Sequence, residues 1–178
     1  TVNTYLSALK GVAKEAWMLR LMDVESFQHI RAVRNLRGTR LPSGRALPPE
    51  EIRALFTVCE ADRSCLGPRD AAMLAVILGC GLRRSEAVGL DIRDVVTQDR
   101  VLRVLGKGNK VRVVYLNQAC KDALARYLEV RRPISGKDKN ALFLSGQNKR
   151  IIRSMVHALV KKHLSAAGLD SDKYSSHK

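Results

Sequence analysis

The chain has 178 residues, enough for one domain and part of a second, and 46% of them are hydrophobic, so a real core is expected. Aromatics supply only 4%, which makes that core aliphatic, while 32 basic against 17 acidic residues leave a net charge of +15. That excess calls for a polyanionic partner, nucleic acid first; no strongly basic amphipathic segment argues for an anionic membrane instead.

Val2, Tyr5, Leu6, Leu9, Val12, Ala13, Ala16 and Trp17 recur at helical spacing, with Lys10, Lys14 and Arg20 on the other side. A second, shorter helix is expected from Val24 to Val33, after Asp23. Together they read as the tail end of a helical domain. The stretch from Leu36 to Leu47, L-R-G-T-R-L-P-S-G-R-A-L, has Gly, Pro and Arg without period. It reads as a basic linker, with Arg45 as a DNA contact, and divides the chain into 1–35, a 36–47 linker and 48–178.

Pro48 and Pro49 pre-set a helix whose stripe is Ile52, Leu55, Phe56 and Cys59. A loop containing Pro68 should lead into a buried helix from Asp70, whose apolar run Ala71 to Leu78 is too short to span a bilayer. Gly79 and Gly81 break that helix, and Arg83 and Arg84 stand at the start of the next short one. Val101 to Leu105 and Val111 to Leu116 are β-branched runs joined by G-K-G-N-K, the pattern of a hairpin. Asn117 is placed to cap a helix carrying Cys120, Ala123, Leu124, Tyr127 and Leu128, ended by Pro133 and Gly136. A short strand at Ala141 to Leu144 and a last helix through Ile152, Met155, Val156, Leu159 and Val160, stopped by Gly168, complete the pattern. The fold class expected is α+β, mainly α, with one small antiparallel sheet. Cys59, Cys65, Cys80 and Cys120 show neither C-x-x-C pairing nor zinc spacing and read as reduced core thiols; no metal and no cofactor is expected. Without a signal-like leader or a spanning segment, a cytoplasmic, nucleoid-associated setting is expected.

The segment G-C-G-L-R-R-S-E-A-V-G-L resembles the first arginine motif of the tyrosine recombinases, the phage-integrase family. V-L-R-V-L-G-K-G-N-K-V-R-V-V-Y-L resembles that family's lysine hairpin, and S-S-H-K resembles the opening of its H-x-x-R motif. The three stand in the family's order with comparable separations. G-R-A-L-P-P-E-E-I is similar to the entry of the catalytic domain, and residues 1 to 35 to the last helices of the core-binding domain.

The resemblance implies site-specific DNA recombination by transesterification. A tyrosine attacks phosphorus, leaving a 3′-phosphotyrosyl link and a free 5′-hydroxyl, without metal. Such chemistry needs cations against the non-bridging oxygens and a general acid for the leaving oxygen. By resemblance Arg83 clamps the scissile phosphate, Lys107 protonates the 5′ oxygen, and His177 assists at the phosphate. Glu86 would orient the active-site loops, although a helix-capping or surface carboxylate is the plainer alternative. Lys110 rivals Lys107, and Arg112 is expected on backbone phosphate. Arg84 matches no family role and is either a DNA contact or a surface charge. Lys149, Arg150 and Arg153 are candidates for DNA phosphates or a solvated basic face. His29, His157 and His163 match no motif and are assigned to packing or surface.

The second arginine, the later His or Trp and the nucleophile are not matched in the sequence. Tyr5, Tyr115, Tyr127 and Tyr174 do not fit the nucleophile's motif. The expectation is therefore a truncated polypeptide that does not cleave DNA alone, with possible self-association through uncovered apolar surface and a tetramer for the intact recombinase. Two other classes stay open: a non-catalytic DNA-binding accessory protein on the same scaffold, and an unrelated basic RNA-binding protein.

Overall fold

The computed structural model describes residues 2–36, 46–96, 98–106, 108–131 and 133–170. The chain divides into two compact units, Thr1–Pro42 and Ser43–Lys178. In the first, α1 (Val2–Met18) and α2 (Val24–Ala32) are joined by a short turn. Asp23 caps α2 by accepting from the Ser26 N–H at 2.8 Å. The Trp17 and Phe27 rings stack at 4.9 Å between centroids and fasten the two helices. Most of the periodic apolar residues on α1 remain exposed; Ala13 is buried.

The second unit is built around α4 (Leu66–Gly79), against which α3 (Pro49–Ala61) and α6 (Gln118–Val130) pack. Residues 69 to 76 of α4 are all buried, which is why this helix shows no polar stripe. It begins at Leu66, four residues before the Asp70 expected from the sequence. Pro68 does not delay it, because the first turn's N–H groups have no helical acceptor and lose nothing when one is a proline. Pro48 caps α3 with Pro49 in its first turn, and Asn117 caps α6 by accepting from the Cys120 N–H at 2.8 Å, both as expected.

After α4 come α5 (Arg84–Gly89), a 3-10 turn at Ile92–Asp94, and the strands β1 (Val95–Val96), β2 (Val101–Leu105) and β3 (Val111–Tyr115). The sheet is antiparallel in the order β1-β2-β3, with Val101 opposite Tyr115 and Val104 opposite Arg112. Three strands rather than a two-stranded hairpin form because Val95 and Val96 pair with Leu102 and Val101. Leu102 and Val104 are buried beneath the sheet. The expected strand at Ala141 to Leu144 is instead a buried loop that makes single bridges, Asp91 to Ala141 and Leu144 to Arg150. It closes with α7 (Arg153–Ala166), which ends before Gly168 at φ 72°.

Beneath α3, α4 and α7 lies a buried polar cluster. His163 Nε2 is 2.8 Å from Asp70 Oδ2, Arg69 Nε donates to Asp70 Oδ1 at 2.7 Å, and Arg69 Nη1 donates to the Leu144 carbonyl at 3.0 Å. Each polar atom there has a partner, the condition for burying charge. Next to it burial, then the Asp70 charge, pushes the Cys59 thiol up to about 12. All four cysteines are free, but Cys65 is exposed rather than a core residue, because it lies just ahead of α4 on the surface.

Candidate active site

The end of α4 sets the position of Arg83. A Cβ on Gly79 would overlap the Cys120 sulfur at the start of α6, so any larger residue there would have to displace that side chain. Gly81, at φ 62°, reverses the backbone, and Leu82 (4% exposed) plugs back into the core. Arg83 follows as the extended N-cap of α5, and its side chain is 74% exposed. A cation is thus held outward between two buried residues, Leu82 and Glu86.

Glu86 gathers the site. Its Oε2 accepts from the Arg83 backbone N–H at 2.8 Å, which caps the helix, and its Oε1 accepts from Arg83 Nη1 at 3.1 Å. From β3, Arg112 donates Nη1 to Oε1 and Nη2 to Oε2, both at 2.9 Å, in a two-pronged pair. The Arg112 hydrogen bonds, and then those from Arg83, outweigh burial and hold the Glu86 carboxyl down at about 2. The same carboxylate thus caps α5 and joins Arg83 to Arg112 of β3. Ionised, with both oxygens occupied, Glu86 is a strut and not a proton donor.

The hairpin meets this strut at its base. Along β3, Arg112 and Val114 alternate with exposed neighbours and lie on the side of the buried Leu102 and Val104. This period of two puts Arg112 on the sheet's inner side, where its half-exposed side chain reaches Glu86. Gly106 donates to the Lys110 carbonyl at 2.8 Å, closing the loop. A Cβ at Gly106 would sit 3.2 Å from Arg112 Nη1 and 3.8 Å from Glu86 Oε1, so the loop's first residue lies on the strut itself. Gly108 and Asn109 take φ of 75° and 60°, the left-handed turn expected of G-N.

The sequence candidates distribute as follows. Arg83, Glu86 and Arg112 are brought together. Arg84 is half-buried in the first turn of α5, and Lys110 is exposed beside the loop. Lys107, His177 and Arg45 lie outside the described residues. Lys149 and Arg153 are exposed, whereas Arg150 is turned inward onto α5. His163 belongs to the buried cluster and His29 is exposed. Tyr127 is buried, with its hydroxyl accepting from the Leu144 N–H at 3.2 Å. What sequence reasoning missed is the use of Arg112 as a tether for Glu86. The available signal was the parity of β3, since Arg112 alternates with Val111 and Val113.

No group of His, Cys, Asp and Glu among the described residues could hold a metal ion, and no described helix is long and apolar enough to cross a membrane.

Against curated proteins, the chain is 50% identical over 110 residues to tyrosine recombinase XerC of Caldanaerobacter subterraneus subsp. tengcongensis, covering 62% of this chain and 31% of the relative. It is 34% identical over 172 residues to XerC of Alcanivorax borkumensis, covering 96% of this chain and 55% of the relative. The chain thus spans between about a third and about half of these relatives' lengths. Among solved structures, the XerA recombinase superposes with a TM-score of 0.64 at 26% identity, over 85% of this chain and 52% of the other. The XerH site-specific recombinase, bound to its palindromic difH substrate after cleavage, shares the fold, with a TM-score of 0.64 at 23% identity over 82% of this chain and 42% of that one. The model described as "Phage integrase family" matches residues 45–178, the stretch that holds Arg83, Glu86 and Arg112. This chain belongs to the phage integrase family.

Proposed function

We propose that the protein bearing this chain is a site-specific DNA recombinase that cuts and rejoins strands through a 3′-phosphotyrosyl intermediate. The observation that carries this reading is the exposed Arg83 guanidinium, held by a buried carboxylate at the base of the β2–β3 hairpin. A planar guanidinium can bond two non-bridging oxygens at once and stabilise the charge that builds on them during attack. As the tyrosine oxygen bonds to phosphorus, the 5′ oxygen leaves and must gain a proton. Lys107, which follows Gly106 in the chain, is the donor, with Lys110 the alternative. His177 assists at the phosphate. Arg84 and Arg45 contact the DNA backbone, with residues 1–35 as part of a DNA-binding domain, 36–47 as its linker and 48–178 as the catalytic portion. Duplex DNA is the partner that the +15 charge asks for. A tetramer on two duplexes and a nucleoid setting follow from the same reading.

The general-acid role has its own test, in a protein carrying this chain together with a nucleophilic tyrosine. Lys107→Ala should bind duplex DNA with near-normal affinity while cleaving at least about a hundred-fold more slowly. Equal losses in binding and cleavage would overturn the assignment. A protein that binds DNA and never forms a covalent adduct on nicked duplexes would instead be a non-catalytic member of the family.

A further inference from the structure

We propose that Arg150 is a positioning residue for Arg83, acting through the far end of α5; this rests on the reading of Arg83 as the phosphate clamp. The helix α5 has six residues, too few to be stable alone, and its last carbonyls have no partner within the helix. Two carbonyls at this end, of Val88 and Leu90, both accept from Arg150 Nη1 at 3.0 Å. Arg150 Nη2 pairs at 2.5 Å with Oδ1 of Asp91, the next residue along. One guanidinium therefore closes the rear of the helix whose front presents Arg83.

The mount for this clamp is stiff. The Arg150 N–H donates to Asp138 Oδ2 at 3.1 Å, and its backbone bridges to Leu144. The following residue, Ile151, is 1% exposed and donates to the Phe143 carbonyl at 3.1 Å. The Arg150 side chain is only 30% exposed. So α5 is held by two arginines from later in the chain: Arg112 through Glu86 at the front, and Arg150 through carbonyls and Asp91 at the back. A fork-shaped donor is needed to reach two carbonyls and a carboxylate together, which a lysine ammonium does not reproduce. Lys149 and Arg153 flank this residue in the chain, and both are exposed, but Arg150 itself faces the helix and not the solvent.

The test is a double-mutant cycle on duplex DNA affinity, with Arg83→Ala and Arg150→Ala made singly and together and thermal midpoints recorded alongside. Positioning through Arg83 predicts that Arg150→Ala weakens binding by about five-fold in the original chain and by less than about two-fold once Arg83 is gone. Arg150→Lys should recover less than half of the loss. Asp91→Asn, which keeps the side chain's shape, should give a smaller loss with the same dependence on Arg83, and it serves where Arg150→Ala fails to fold. Equal losses in both backgrounds would mean that Arg150 touches phosphate directly. A lowered thermal midpoint with unchanged affinity would mean that it serves the fold alone. Either result overturns the proposal. If Arg83→Ala by itself leaves affinity untouched, the phosphate clamp fails, which is a separate and distinguishable outcome.

Discussion

Glu86 is where the chemistry of single residues decides most. A buried carboxylate facing two guanidiniums and a backbone N–H stays ionised, and its hydrogen bonds are of the stronger, charge-assisted kind. Glu86→Gln keeps the size, replaces an acceptor oxygen by a donor NH₂, and leaves Arg112 without its two-pronged partner. Urea denaturation should show a loss of about 1–3 kcal/mol. The acid dependence has a definite sign. The folded carboxyl is depressed from 4.5 to about 2, so its stabilisation is full above pH 4.5 and drains away as pH falls toward 2. The urea midpoint of the original chain should therefore fall through that window more steeply than that of Glu86→Gln. The pairing itself joins residues 26 apart in sequence; the alternation along β3 tells which face Arg112 takes, but not that Glu86 lies there. Glu86 was legible as an acid near Arg83, and Arg112 as a basic residue on a strand. That one holds the other depends on register across the sheet and on the descent of α5 beneath it.

At the scale of elements, local signals served well wherever a helix had a capping residue. Asp23, Pro49 and Asn117 mark real starts, and Gly168 follows a real end. They failed where tertiary contacts replace local preference. Ala141 to Leu144 looks extended but meets partners only at single bridges, and Val95–Val96 is too short to register as a strand without β2 beside it. The approach of α4 to α6 was legible only as a glycine that breaks a helix. The structure supplies the second reason, contact with the Cys120 sulfur. Gly79→Ala should cost about 1–3 kcal/mol by overpacking, read from chemical denaturation. Added to Cys120→Ala it should cost at least about 1 kcal/mol less, because the overlapping atom is gone. The cluster under α4 makes a sharper demand. Asp70→Ala strands the Arg69 cation beside His163 and should cost about 3–5 kcal/mol, the scale for breaking a buried ion pair from one side.

Across the whole molecule, a net charge of +15 gives attraction to any polyanion, and specificity of position must come from somewhere narrower. Arg83, which projects from a short helix tied at both ends, is the proposed source of it. Fold class and family were legible because three motifs in order outweigh any one of them. The tethers were not, since each joins distant segments. The most direct measurement is duplex DNA affinity as a function of salt, between about 50 and about 200 mM, for the original chain and for Arg83→Ala. A clamp on phosphate predicts that the logarithmic slope becomes shallower by about one unit when Arg83 is removed. An unchanged slope, with affinity intact, would contradict it.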